Sequence, residues 1–274
     1  MIRLRLGAPL VAALLRLTTL AALFTAALVV TEGVVTEGVA FADDETGVLT
    51  SRHKTYESPQ NFAFEVRVGP YHPRVDTAPD VGAKGPYQSE FGDSLRWEVA
   101  VEFDWQIYRI PHLGTIGAGV SVGYTTSSAI APLVTPVMGS TLSGESTNLT
   151  IYPTYGVAVL RVDVLSRELH VPFVPYAKAG FGLAFWRASN TGGTSSVKGV
   201  TGEGNSYGEQ LAIGLALDLN FLDRRTSQGF DNATGVNHTF IFGELQDYHL
   251  TASTHGSALY VGNENWLMGL GFEF

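Results

Sequence analysis

Charged side chains recur at every second position in several otherwise apolar stretches of this chain. In "NFAFEVRVGPY" they are Glu65 and Arg67, and in "LRWEVAVEFDWQIY" they alternate with large apolar residues. The nine charges on such polar faces are Glu65, Arg67, Arg96, Glu98, Glu102, Asp104, Lys178, Asp218 and Glu273. Acids and bases on adjacent strands can form ion pairs, and a surplus of acids can line a path for cations.

A second group of residues has the types needed for nucleophilic catalysis. The segment "LQDYHLTASTHGS" contains Asp247, His249, Ser253, His255 and Ser257. A histidine can activate a serine hydroxyl when an acid orients the imidazole ring. Spacing within one predicted loop does not establish that geometry, and a polar surface loop is the simpler interpretation. We therefore expect the protein not to be an enzyme.

The elements that carry these residues are predicted to be β-strands. Eight segments alternate large apolar residues with small or polar ones, and a period of two residues is typical of a strand. These segments are 61–71, 95–108, 115–124, 148–160, 174–186, 209–222, 238–247 and 263–274. The connections 76–94, 125–147, 187–208 and 248–263 are long, and those between them are shorter.

This pattern predicts an all-β fold, a transmembrane antiparallel up-and-down β-barrel of about eight strands. About 9–11 residues suffice for a tilted strand to cross a bilayer, and long loops alternate with short turns in such barrels. The apolar face of each segment then points at lipid. In the fourth segment that face consists of Leu149, Ile151, Tyr155, Val157 and Val159. Ten strands remain an alternative, if a long loop contains a further hairpin.

A soluble sandwich or lipocalin-like barrel is the competing interpretation of the same alternation. In that fold Trp97 and Trp105 would point into the core. Glycines such as Gly117 and Gly119 would then lie on the outside, in water. Small residues fit better inside a narrow barrel, where large side chains have no room. The distribution of glycine therefore favours the membrane barrel.

The N-terminus is predicted to be a signal peptide covering residues 1–42. Arg3, Arg5 and Arg16 precede the uncharged run 17–30, and the small-residue motif Ala40–Ala42 follows as a cleavage site. An uncleaved membrane helix is the alternative, but the uncharged run is shorter than the about 20 residues needed to span a bilayer. We expect cleavage near Ala42, a periplasmic N-terminal segment over 43–60 and the barrel over 61–274.

Composition excludes several functional classes. The 274-residue chain has no cysteine, so it has no disulfide framework, thiolate metal site or cysteine nucleophile. The histidines show no metal-ligand spacing, and we expect neither a metal nor a cofactor. A net charge of −9 without a basic patch disfavours nucleic-acid binding.

The chain ends in "WLMGLGFEF", with an apolar residue at every second position. The residues on that face are Trp266, Met268, Leu270, Phe272 and Phe274. With a signal peptide and eight alternating strands before it, the sequence resembles small outer-membrane β-barrels of Gram-negative bacteria. The segments "SPQNFAFEVRVGPYHP", "VPFVPYAKAGFGL" and "FDNATGVNHTFIFGE" are similar to a largely uncharacterised subgroup of them. The resemblance implies outer-membrane lipid and lipopolysaccharide as surroundings, and recognition of the terminal segment by the outer-membrane assembly machinery.

The function expected from these features is a non-enzymatic structural or interaction role with surface-exposed acidic loops. A packed interior of paired charges is the preferred interpretation of the nine polar-face charges, because eight strands leave room only for side chains. A narrow, porin-like channel for ions or small apolar solutes is the alternative, since six of the nine are acids. A lipid-modifying hydrolase that uses His249 or His255 is the third.

Overall fold

A computed structural model of the protein describes residues 61–78, 81, 85–137, 140–197, 200–222, 234–253 and 259–274. The predicted signal peptide 1–42, the cleavage site near Ala42 and the segment 43–60 lie outside these residues. Among the described residues, no helix is both long and apolar enough to cross a bilayer.

Eight long strands of the described chain form one closed sheet. They are β1 (Phe62–Tyr71), β2 (Arg96–Ile110), β3 (Gly114–Val137), β4 (Ser140–Arg161), β5 (Phe173–Asn190), β6 (Glu203–Asp218), β7 (His238–Ala252) and β8 (Glu264–Glu273). Each strand pairs antiparallel with the next, and β8 pairs with β1 to close the ring. The predicted eight-stranded up-and-down barrel is confirmed. Closure pairs the backbone groups of both terminal strands, as a barrel in lipid requires.

The outer surface of the barrel is apolar. Trp97, Phe103 and Trp105 on β2 are each about half exposed, and Glu98, Glu102 and Asp104 between them are buried. Of the terminal residues named above, Trp266, Met268, Leu270 and Phe272 also lie on the outward face of β8, and Phe274 directly follows this strand. An apolar exterior around a charged interior is the arrangement of a transmembrane barrel.

Strand β4 corrects one prediction. We expected its apolar face to point at lipid, but Leu149, Ile151, Tyr155, Val157 and Val159 are all buried inside the barrel. A period of two residues identifies which side chains share a face, but not whether that face meets lipid or a dry lumen. In β4 the large apolar side chains fill the lumen, and smaller residues mostly face outward.

The predicted long loop 125–147 is also different in the structure. It is formed mostly by β3 and β4, which continue as a paired hairpin from Thr126 opposite Thr150 to Val137 opposite Ser140. Strand β2 leaves β3 at the Glu98–Thr125 pair, so the hairpin extends past its neighbour. We call residues 126–146 the hairpin arm. The extra hairpin allowed for in the ten-strand alternative is thus an extension of two barrel strands.

The connection between β1 and β2 at this end of the barrel contains two short helices. The 3₁₀-helix Arg74–Thr77 and helix α1 (Pro86–Phe91) lie in the loop between β1 and β2. The Asp76 carboxylate accepts hydrogen bonds from the backbone N–H groups of Tyr87 and Gln88, both at 2.8 Å. These bonds satisfy amide groups at the start of α1 and hold Tyr87 over the lumen, where it is buried. We call this end the loop end, and the end where Phe62 lies beside Phe274 the terminal end.

Candidate functional site

The structure places eight of the nine predicted polar-face charges inside the barrel. Each of the eight is at most 7% exposed; they are Glu65, Arg67, Glu98, Glu102, Asp104, Lys178, Asp218 and Glu273. Arg96 is the exception, because it is half-buried at the loop end of β2. Its guanidinium donates to the backbone carbonyls of Phe91 and Ser128, both at 3.2 Å. Arg96 therefore stabilises the loop-end rim of the barrel and is not part of the interior charge cluster.

Lys178 on β5 lies at the centre of the interior charges. Its Nζ is 2.7 Å from Glu65 Oε2, 2.5 Å from Glu102 Oε1 and 3.2 Å from Glu244 Oε2. The same ammonium lies 5.0 Å from the centre of the Tyr176 ring. One cation thus connects carboxylates from β1, β2 and β7 across the lumen, and all of these groups are fully buried.

Arg67 on β1 contacts two of the same carboxylates from the other side. Its Nη1 donates to Glu244 Oε1 at 2.9 Å, and its Nη2 forms an ion pair with Glu102. The same Nη2 donates to Ser121 Oγ at 3.0 Å. Glu102 and Glu244 are therefore each held between an arginine and a lysine, which is the pairing that buried charges require.

Arg161 on β4 extends the ion pairs toward the terminal end. Its Nη2 donates to Glu65 Oε1 and to Asp104 Oδ2, both at 2.6 Å. Its Nη1 lies 3.9 Å from Glu273 Oε1, which also accepts a hydrogen bond from Gln106 at 2.8 Å. We call the central set the charge layer. It consists of Glu65, Arg67, Glu102, Asp104, Arg161, Lys178 and Glu244.

Sequence reasoning missed two members of the charge layer, Arg161 and Glu244. The fourth predicted segment ends at residue 160, one residue before Arg161, and none of the nine predicted polar-face charges lies in the seventh segment, 238–247, which contains Glu244. In the structure Val159 and Arg161 share the inward face of β4. Counting in steps of two from Tyr155 reaches Arg161, so the signal was present in the sequence.

An apolar cluster fills the lumen on the loop side of the charge layer. We call it the apolar cap; its buried members are Tyr71, Val75, Tyr87, Leu149, Ile151, Tyr155, Val157, Val159, Ala184, Tyr248, Leu250 and Val261. The rings of Tyr155 and Tyr248 stack at a centroid distance of 4.3 Å, and the Tyr71 hydroxyl donates to the backbone carbonyl of Val261. The inward face of β4 supplies five of these side chains. This explains why the apolar face of β4 points into the lumen and not at lipid.

A second, smaller apolar cluster lies toward the terminal end. Its buried members are Val174, Tyr176, Ala216, Phe240 and Phe242. On the terminal-end side of this cluster, His238 Nδ1 lies 2.9 Å from Asp218 Oδ2. Asp218 therefore belongs to a separate pair and not to the charge layer. From the loop end to the terminal end, the described lumen is therefore filled by the apolar cap, the charge layer and the second apolar cluster.

The charge layer also contains a grouping of oxygens that resembles a metal site. Carboxylate oxygens of Glu65, Glu102 and Asp104 lie within 4.8 Å of one another. Lys178 and Arg161 already contact these carboxylates at 2.5–2.7 Å. The protein's own cations thus lie where a metal ion would otherwise balance the acids.

The candidate catalytic residues are only partly described. His249 Nδ1 lies 3.3 Å from Asp247 Oδ1, and both residues are on the outward face of β7. Asp247 Oδ1 is also 3.6 Å from the Arg74 guanidinium. Ser253 is described, and His255 and Ser257 lie outside the described residues. The structure thus shows a histidine–acid pair near the outer rim, with an arginine that shares the acid.

Comparison with known proteins gives structural matches of low sequence identity. No family model matches the chain, and no curated protein matches it. Among solved structures, Ail of Yersinia pestis has 12% identity and a TM-score of 0.40, covering 78% of this chain and 97% of its own. A major outer membrane protein of Thermus thermophilus has 13% identity and a TM-score of 0.32, covering 78% of this chain and 99% of its own. These TM-scores lie below 0.5, and the eight-stranded barrel architecture rests on the strand pairing of the chain itself.

Proposed function

We propose that the chain is a closed outer-membrane barrel that does not conduct and that acts through its loop end in a structural or interaction role. It is exported with cleavage near Ala42, and the belt around Trp97 and Trp105 sits in outer-membrane lipid and lipopolysaccharide. The outward face of β8 serves as the signal for the outer-membrane assembly machinery. The proposal assigns the protein no enzymatic activity, and it is supported by Asp247, which would orient His249 but also lies 3.6 Å from the Arg74 guanidinium.

The observation that supports a closed barrel is the succession of filled layers in the lumen. Each cation of the charge layer contacts carboxylates from at least two other strands, so the layer ties opposite walls together. The apolar cap covers the same lumen on the loop side, where Tyr87 and Leu250 are at most 2% exposed. An ion would have to displace buried ion pairs and then cross apolar side chains, and both steps are costly.

The loop end offers the surface through which such a barrel can act. The hairpin arm extends past β2, and its Glu145 is exposed. The exposed acids at this end among the described residues are Glu90, Asp93, Glu145, Glu203, Glu209 and Glu264. A surface of this charge favours partners that carry basic groups, through complementary electrostatics.

Planar-bilayer recording tests the closed barrel against the channel. The mature chain, residues 43–274, is refolded in detergent, and folding is verified by its heat-dependent shift on a gel. We expect no steady current from folded protein. A steady current that falls when Glu102→Gln or Asp104→Asn removes a negative charge would establish a narrow channel instead.

A further inference from the structure

Glu98 is the buried acid that the charge layer does not reach. It lies on the inward face of β2, on the loop side of Glu102, and is fully buried. Neither Oε1 nor Oε2 has a hydrogen-bond partner within the described part of the chain. The carboxylates of the charge layer, by contrast, are each paired with lysine or arginine. A buried carboxylate without a partner costs several kcal/mol, so its charge requires compensation.

The tyrosine hydroxyls of the apolar cap are largely engaged elsewhere. Tyr71, Tyr155 and Tyr248 are buried members of this cap. Tyr71 donates its proton to the carbonyl of Val261, and Tyr248 donates to Gln246 Oε1. Neither proton is therefore left for Glu98. The tyrosine oxygens remain on this part of the wall as neutral, electron-rich atoms.

Further buried polar atoms without hydrogen-bond partners lie in the described lumen. Thr125 is directly opposite Glu98 in the β2–β3 pairing, and its buried Oγ1 has no partner among the described residues. The buried Tyr155 hydroxyl and both amide atoms of Gln210 are in the same condition. Gln210 pairs with Tyr248 across β6 and β7, and Tyr248 stacks on Tyr155. Thr125 thus lies directly opposite Glu98, and the unpartnered polar atoms of Tyr155 and Gln210 lie on the inward faces of β4 and β6.

Gly123 on β3 leaves room for the Glu98 carboxylate against the wall of the barrel. A Cβ atom at Gly123 would lie 2.6 Å from Glu98 Oε1 and 2.9 Å from Pro153 Cγ. Any larger residue would push the carboxylate away from the wall of β3. The absence of a side chain here lets Glu98 lie against the strand that also carries Thr125.

The balance of buried charges in the described interior also indicates that Glu98 lacks a compensating positive charge. Leaving aside Asp218, which pairs with His238, the buried acids are Glu65, Glu98, Glu102, Asp104, Glu244 and Glu273. The buried bases are Arg67, Arg161 and Lys178. Six acids face three bases, and all three bases are in contact with acids other than Glu98. The deficit of positive charge is therefore most acute at Glu98.

We propose that Glu98 binds a single monovalent metal cation, of the sodium or potassium type, between the charge layer and the apolar cap. The carboxylate supplies the compensating charge, and Thr125 and Tyr155 supply neutral oxygens, with Gln210 contributing from β6. Hard oxygen donors replace the hydration shell of alkali cations, and one carboxylate matches one positive charge. The site is independent of the proposed role of the loop end.

The test compares salts and variants in the refolded mature chain. Protein is refolded in non-ionic detergent in sodium, potassium or choline chloride at equal ionic strength, and the midpoint of thermal unfolding is read from the gel shift. A cation that binds only the folded state raises this midpoint with concentration. We expect sodium or potassium to raise the wild-type midpoint above that in choline. Refolding in each salt also removes any question of access to the buried site.

Two variants connect the effect to the site. Glu98→Gln removes the charge while keeping the shape, so its midpoint should be the same in all three salts. Thr125→Val keeps the charge but removes one oxygen, so it should need roughly tenfold more cation for the same rise, as one lost ligand contact of about 1.4 kcal/mol implies. Glu273→Gln is the matched control, since Glu273 is a buried acid already paired by Gln106. It should respond to salt like the wild type.

Equilibrium dialysis with radioactive sodium or rubidium gives the direct count. One ion retained per folded wild-type chain, and none per Glu98→Gln chain, would support the site. Equal wild-type midpoints in choline, sodium and potassium would overturn it. So would a protonated-carboxyl infrared band in sodium that disappears in Glu98→Gln, because Glu98 would then be compensated by a proton.

Discussion

The charge layer and the apolar cap fill neighbouring parts of one lumen by opposite physical means. In the charge layer, Lys178, Arg67 and Arg161 hold carboxylates across the barrel at specific distances. In the cap, side chains such as Ile151 and Leu250 exclude water by packing alone. Removing one member of an ion-pair network leaves a partner charge uncompensated, whereas removing one apolar side chain leaves only a cavity. The two regions should therefore respond differently to substitution.

Lys178→Met should give the largest loss. It leaves Glu65, Glu102 and Glu244 without their common cation in a fully buried position. Breaking a buried pair in this way typically costs about 3–5 kcal/mol, and we expect the free energy of unfolding to fall by that amount. Urea unfolding in detergent micelles measures it. Adding Glu102→Gln to Lys178→Met should restore part of the loss; if the two losses simply add, the ion pairs do not act as a network.

Ile151→Ala should destabilise the cap by about 2–5 kcal/mol, the usual cost of removing a buried aliphatic side chain together with the cavity it leaves. The matched control is Ile241→Ala on the outward face of β7, where Ile241 is 48% exposed. In micelles, detergent can fill the space left at Ile241, so its effect should be much smaller. Equal losses at the two positions in the same unfolding assay would mean that β4 does not turn its apolar face inward.

The inward apolar face of β4 is a feature of this fold that the sequence pattern did not predict. Strand number followed mainly from the period of two residues. Antiparallel order and barrel closure followed from the alternation of long and short connections and from the need to pair every backbone group in lipid. The faces of β2 and β8 also followed, since charges such as Glu102 and Glu273 cannot face lipid. The inward face of β4 carries few charges to mark it, and both its possible surroundings are apolar. Arg161 was the one residue that revealed the orientation, and the predicted strand stopped just before it.

Gly119→Ala should have an intermediate effect on the charge layer. A Cβ atom at Gly119 would lie 1.9 Å from Asp104 Oδ1, so the carboxylate that accepts from Arg161 has to move. Overpacking of this kind costs about 1–3 kcal/mol. Gly243→Ala is the matched control, because an added Cβ atom there has no neighbour within 4 Å. A Gly119→Ala protein as stable as Gly243→Ala in urea would show that Asp104 is not held in place.

Arg109→Met should have the smallest effect, and it calibrates the others. The Arg109 guanidinium lies 2.5 Å from Asp163 Oδ2 at the terminal end, and its side chain is 36% exposed. Exposed pairs contribute at most about 1 kcal/mol and are weakened by salt. We expect a loss below that value which decreases further in high salt. A loss as large as that of Lys178→Met would mean that burial does not distinguish the two kinds of ion pair.

The most direct test of a doubly closed lumen is planar-bilayer current from four folded proteins measured side by side. They are the wild type, a charge-layer variant (Glu102→Ala with Lys178→Ala), a cap variant (Tyr71→Ala with Leu250→Ala) and the combination of both. We predict steady current only from the combination, since either layer alone closes the lumen. Steady current from the folded wild type would contradict a closed barrel, and steady current from either single-layer variant would contradict two independent closures.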